Sequence, residues 1–208
     1  MSTKPKRRYV SEARDRAAGA TRARILSAAK SLFTRSGIDR VTIAQIAAKA
    51  DVAVATIYAL YKSKEGILRE LMSSALFGSR FHAARGRLEH EKDAVKLLSL
   101  SAHVARAIYD SESSELGLMR GISAFSPALK KMEQEFERTR FQMQEARVQL
   151  LFAQSKAKKG LTIENARRLL WMYTSRDVYR MLVQEGAWSP DEYQEWLSDT
   201  LIGALVRS

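Results

Sequence analysis

Apolar residues recur at spacings of three and four over most of the chain, and alternating runs are scarce. A period of 3.6 rather than 2 predicts an all-α protein. Ile25, Leu26, Ala29, Leu32 and Phe33 line one face of a helix from about Thr21 to Ser36, closed by Gly37. Thr42 opens a second, short helix ending near Ala50, and Gln45 three residues on completes a capping box. A third short helix covers roughly Val54 to Tyr61. Ser63 caps the next, with Glu65 in its first turn. Further helices are expected near 64–86, 92–110 and 114–124. Ser126-Pro127 starts one reaching about Lys159, closed by Gly160. Another spans about 162–185, ended by Gly186. Ser189-Pro190-Asp191-Glu192 combines a cap, a proline at N1 and an acid at N3. It opens a last helix to about Val206.

Two short helices within Ile43–Leu60 share Ile46, Ala50, Val52, Ile57 and Leu60 as a small common core. Ala47 falls where they approach most closely. Asp51 falls at the turn, where a left-handed residue is usual and aspartate is tolerated. A pair crossing near a right angle presents its second helix to a DNA major groove. An ordinary helical hairpin has the same apolar pattern, so pattern alone leaves both readings open.

Charge changes that balance. The chain of 208 residues carries a net +12. Residues 1–66 hold 14 Lys/Arg against 5 Asp/Glu, so +9 of it lies in the first third. A basic module suits a polyanion, because each cation beside a phosphate releases a counterion. A solvated basic tail remains the alternative for the first eight residues. The expected organisation is a basic flexible arm over 1–20, a three-helix helix-turn-helix DNA-binding domain over 21–66, and a helical ligand-binding and dimerisation domain over 67–208.

The stretch Thr21–Leu68 resembles the DNA-binding domain of the tetracycline-repressor (TetR) family. The similarity rests on Ile25-Leu26-x-Ala28-Ala29-x-x-Leu32-Phe33, Gly37, and Val41-Thr42-Ile43-x-x-Ile46-Ala47. It continues through Ala50-x-Val52, Thr56-Ile57-Tyr58 and Tyr61-x-Ser63-Lys64-Glu65. The resemblance implies a homodimeric repressor of a palindromic operator, released by a small molecule. It implies phosphate contacts from Tyr58 and Lys64. Thr42, at a helix N-terminus, caps its helix and is placed to help hold a phosphate. Ala53, Val54, Ala55 and Thr56 begin the recognition helix. The family more often has polar or basic side chains at the first two positions, and Ala59 replaces a frequent histidine. Reading through thymine methyls or DNA shape is then expected. Arg22 and Arg24, at the root of the arm, are further DNA-contact candidates.

The C-terminal part lacks a sharp motif. Leu129, Met132, Phe136, Met143, Ala146, Leu150, Ala153 and Ala157 form a heptad-like stripe, interrupted at Thr139. The helix over 162–185 is apolar on more than one face, as expected of an element buried on both sides. By resemblance, 162–206 forms the homodimer face. Arg176, Asp177 and Arg180 interrupt it as ion pairs at an interface or core edge. Phe77, Phe81, His103, Met119, Phe125 and Trp171 are candidate pocket residues for a hydrophobic ligand. Taken singly, plain core is the stronger reading of each.

Other classes fit less well. The three histidines, His82, His90 and His103, belong to no H-E-x-x-H motif, and there is no phosphate-binding glycine loop or G-x-S-x-G elbow. No enzyme, cofactor or metal is expected. The chain has no cysteine, and no apolar run is long enough to span a bilayer. A basic start without an apolar signal core predicts a cytoplasmic protein. A helical protein-interaction adaptor and a non-specific architectural DNA binder remain as alternatives. The operator, the regulated genes, the inducer and the sign of regulation are not encoded in these patterns.

Overall fold

The computed structural model describes residues 6–111, 117 and 126–207. Among them the regular structure is helical, apart from one isolated antiparallel bridge between Ala157 and Val206. The helices are α1 (Lys6–Ser36), α2 (Ile43–Ala50), α3 (Val54–Tyr61), α4 (Lys64–Phe77), α5 (Ser79–Gly86) and α6 (Ala94–Ser111). They continue with α7 (Pro127–Met143), α8 (Glu145–Ala153), α9 (Ile163–Tyr173), α10 (Arg176–Tyr179), a π-helical turn (Arg180–Glu185) and α11 (Pro190–Leu205). No single helix is long and apolar enough to cross a membrane among these residues.

The chain forms two compact units. Of the described residues, the first comprises 6–73, 117 and 126–130, the second 74–111 and 131–207. In the first, α1 packs on α2, and α2 on α3. Ile25, Ala29 and Phe33 of α1 are fully buried with Ile38, Ile46, Ile57, Ile67 and Leu68. Gly37 sits at φ 78° and donates its N–H to Phe33 O at 2.9 Å, closing α1 in the left-handed conformation that glycine adopts without strain.

The second unit is built around α6 and α11, its most extensive helix pair, with α5 and α8 also on α6 and α9 against α8 and α11. Leu98, Val148, Leu151, Leu170, Tyr193, Leu197, Leu201 and Leu205 have little or no exposed surface. The Ser189–Glu192 capping box opens α11 as the sequence predicts. Ser99 and Ser198 share a hydrogen bond at 2.8 Å between α6 and α11.

Three expectations are corrected. The first helix, expected from about Thr21, starts at Lys6, so α1 is continuous to Ser36. Its alanines and arginines are strong helix formers and no proline lies between residues 6 and 36. The helix expected over 126–159 is two: it breaks at Gln144 and ends at Ala153, with Ser155 at φ 55°. The break falls where the Gln144 side chain turns inward to donate to Thr174 Oγ1 at 2.8 Å. The helix over 162–185 stops at Tyr173. Thr174 Oγ1 donates to Leu170 O at 2.6 Å, a back-bond that competes with helix continuation. Ser175 then caps α10.

Candidate nucleic-acid interface and the C-terminal pocket

Helices α2 and α3 are bent 109° from one another, within the range of helix-turn-helix pairs. The turn depends on Asp51, left-handed at φ 52°, φ being positive at few non-glycine residues. Its N–H reaches back to Ala47 O and Ala48 O, tying off the end of α2. Ile46, Ala47, Ala50 and Ile57 are buried at the crossing, whereas Val52 and Leu60 are half-buried.

That burial fixes what faces solvent. With Ile57 inward, Ala53, Val54, Ala55, Tyr58 and Ala59 are exposed and Thr56 is half-buried. Tyr58 is 51% exposed, a large area for an aromatic ring on an eight-residue helix. The outer surface of α3 is therefore small apolar groups beside one phenol.

Thr42 Oγ1 accepts from Gln45 N at 3.2 Å, and Gln45 Oε1 accepts from Thr42 N at 2.9 Å. This reciprocal pair leaves other first-turn N–H groups of α2 without intrahelical partners, a source of partial positive charge. Lys64 opens α4 and donates to Asp39 O at 3.4 Å; an ammonium has two more protons to offer. Asp39 also accepts from Ser126 Oγ at 3.1 Å. Arg22 and Arg24 are exposed on α1. The Arg24 guanidinium lies 3.8 Å from the Asp51 carboxylate, which brings the middle of α1 to the helix-turn-helix bend.

Two features of this region escaped the sequence reading. Gly66 lies so close to the end of α3 that a Cβ would fall 2.0 Å from Tyr61 O. Its only signal is a glycine in the first turn of a helix. The Tyr61 hydroxyl is buried without a hydrogen-bond partner among the described residues. Burial first, and Glu70 second, push its pKa up. Glu65 is held below the usual carboxylate range, mainly by backbone and Ser63 hydrogen bonds at the start of α4.

In the second unit a narrow pocket of about 30 Å³ is lined by Phe77 and Phe81 together with Val104, Ile108, Met143, Gln144 and Arg147. Phe77 and Phe81 pack edge to face at 5.1 Å. His103 lines a different, wider groove of about 340 Å³ with Arg80, Arg87 and Arg106. Trp171 lines neither. It lies on the outer side of α9, donating from Nε1 to Glu137 Oε2 at 2.9 Å. Met119 and Phe125 lie outside the described residues.

Residues 25–71 match the family model of bacterial regulatory proteins, tetR family. The chain is 34% identical over 94 residues to an uncharacterized HTH-type transcriptional regulator, YvkB, of Bacillus subtilis (strain 168). That alignment covers 37% of this chain and 50% of the relative, so the chain spans half the length of the curated relative it matches. Among solved structures, the SmeT–triclosan complex is similar with a TM-score of 0.68 at 21% identity, covering 90% of this chain and 92% of that one. NalD, the secondary repressor of the MexAB-OprM multidrug efflux pump in Pseudomonas aeruginosa, gives 0.69 at 20% identity, covering 91% and 98%. FadR from Bacillus subtilis in complex with stearoyl-CoA gives 0.66 at 17% identity, covering 86% and 97%. At these identities the three establish the shared fold.

Proposed function

We propose that the protein is a DNA-binding transcriptional regulator of the tetR family, whose model residues 25–71 match, acting as a homodimeric repressor that a small molecule releases from a palindromic operator. The observation that carries this reading is α3 itself. It is set at 109° to α2, anchored by Ile57, and turns Val54, Ala55 and Tyr58 to solvent. A hairpin serving only as structure gains nothing from a half-exposed tyrosine there.

In this reading Ala53 and Val54 meet thymine methyls or the groove wall, and Thr56 adds a polar contact. Tyr58, Lys64 and the N-terminus of α2 at Thr42 hold phosphates. Arg22 and Arg24 extend the contact along the backbone. So few hydrogen-bonding groups on α3 favour sequence reading through methyls and shape.

The dimer face is α9 to α11. Ile163, Met172 and Met181 are 46%, 45% and 49% exposed, an apolar set that a second copy would cover. Two-fold symmetry then places half-sites roughly 34–36 Å apart or a multiple of that. That SmeT was captured with triclosan and FadR with stearoyl-CoA supports a small-molecule effector for the second unit. A cytoplasmic location fits that task.

The test is selection of preferred duplexes from a random pool at physiological salt. A palindromic consensus is expected. Lys64→Ala should lower the slope of log affinity against log salt by about 1 per protomer, as one lost phosphate contact requires. Recovery of no consensus, with binding abolished by modest salt, would sink the regulator reading.

A further inference from the structure

The pocket of the second unit is apolar in its walls but not in its chemistry. Among the polar side chains that line it are Gln144, at the break between α7 and α8, and Arg147, in the first turn of α8.

Gln144 is buried. Its Nε2 donates to Thr174 Oγ1 at 2.8 Å. Thr174 Oγ1 also accepts from Arg140 Nη1 at 2.8 Å and spends its single proton on Leu170 O at 2.6 Å. That arrangement fixes the amide. A flipped Gln144 would set an acceptor against a hydroxyl with no proton left to give. Gln144 Oε1 is therefore the free end, and it is buried with no hydrogen-bond partner among the described residues. It asks for a donor.

Arg147 asks for an anion. Its Nη1 donates to Ser101 Oγ at 3.0 Å, and among the described residues no carboxylate pairs with it. The pocket's other arginine, Arg140, is paired with Glu137 at 2.6 Å. Burial, and then the neighbouring Arg85, pull the Arg147 pKa down to about 10. Water in a 30 Å³ space, roughly two molecules, satisfies the Gln144 oxygen but does not neutralise a part-buried guanidinium.

We propose that this pocket binds an amphipathic acid: a carboxylate on Arg147, a hydroxyl donating to Gln144 Oε1, and an unbranched apolar tail among Phe77, Phe81, Val104, Ile108 and Met143. Gln144 and Arg147 are three residues apart in the chain, which suits an acid whose hydroxyl lies a few bonds from its carboxylate. A 30 Å³ space is too small for such a tail as it stands, so binding opens the pocket, and Met143, unbranched, yields most readily. The proposal rests on the reading of the second unit as the effector domain and names its ligand class.

Calorimetry on the DNA-free full chain tests it with three probes: 3-hydroxyoctanoate, octanoate and 1,3-octanediol. The hydroxy acid is expected to bind roughly tenfold or more tighter than the diol, as a charge-assisted hydrogen bond is worth that much. Octanoate, lacking the donor, should bind a few-fold weaker than the hydroxy acid. Arg147→Met should remove the preference for acid over diol. Equal or tighter binding of the diol to the unmutated protein overturns the proposal and needs no variant. So does the absence of binding by all three at millimolar concentration, which makes the pocket a water site. No DNA enters this measurement. A failed duplex selection with intact acid binding would count against the regulator alone, and the reverse result against the ligand class alone.

Discussion

Asp93 shows how much of a residue's behaviour comes from partners far away in the sequence. Its Oδ1 caps α6 through the N–H groups of Val95 and Lys96, and its Oδ2 accepts from Lys156 at 2.6 Å. The Lys156 ammonium first, then those backbone groups, hold the carboxyl at about 2, below its ordinary 3.8. A carboxyl depressed on folding stabilises the native state above 3.8, and that stabilisation is lost as pH falls through about 2. Lys156→Met should raise the Asp93 pKa toward 3.8 in a carboxyl-carbon NMR titration; an unmoved titration would show that the cap alone sets it. The same distinction governs what the sequence made legible. Thr42, Asp51 and Ser189 were readable because a cap or turn is decided within four residues. Gln144 and Arg147 were not, because their roles depend on Thr174 and Ser101, at least 30 positions away.

At the scale of elements, starts were easier to read than interior breaks. Caps at Thr42, Ser63 and Ser189 announce helices, and the structure begins α2, α4 and α11 there. The breaks at Gln144 and Thr174 carry no proline or glycine, since they arise from buried polar side chains bonding across helices. Thr174 is the joint. Its hydroxyl ties α9 to α7 and to Gln144, while its carbonyl accepts from Tyr109 Oη at 2.9 Å. Thr174→Val preserves shape and removes the hydroxyl, leaving the buried Gln144 amide without its acceptor. Such a loss costs about 1–3 kcal/mol, and urea denaturation should show it as a lower midpoint at unchanged m-value. A change below about 0.5 kcal/mol would mean the joint is held by packing.

At the scale of the whole molecule, the proposed function depends on two copies. Met172 and Met181 lie on the exposed face of the α9–α10 segment and the turn that follows it. Met172→Asp with Met181→Asp should shift the protein from dimer to monomer in sedimentation velocity. DNA affinity should fall by roughly 100-fold or more, because linked half-site binding is lost. A dimer that survives both charges would place the contact elsewhere. All-helical architecture and the place of the helix-turn-helix were legible from periodicity and charge. The two-unit division, in which residues 126–130 belong with the N-terminal helices, was not, since contacts between distant segments leave no local pattern. Gly66 links these scales through heredity. Any missense change at its codon adds a Cβ where 2.0 Å separates it from the Tyr61 carbonyl oxygen, so no allele but glycine fits. A random screen for loss of the proposed repression should therefore yield codon 66 repeatedly, with Gly66→Ala defective in operator binding and lower in Tm. Recovery of fully active alanine alleles would show that the end of α3 can move aside.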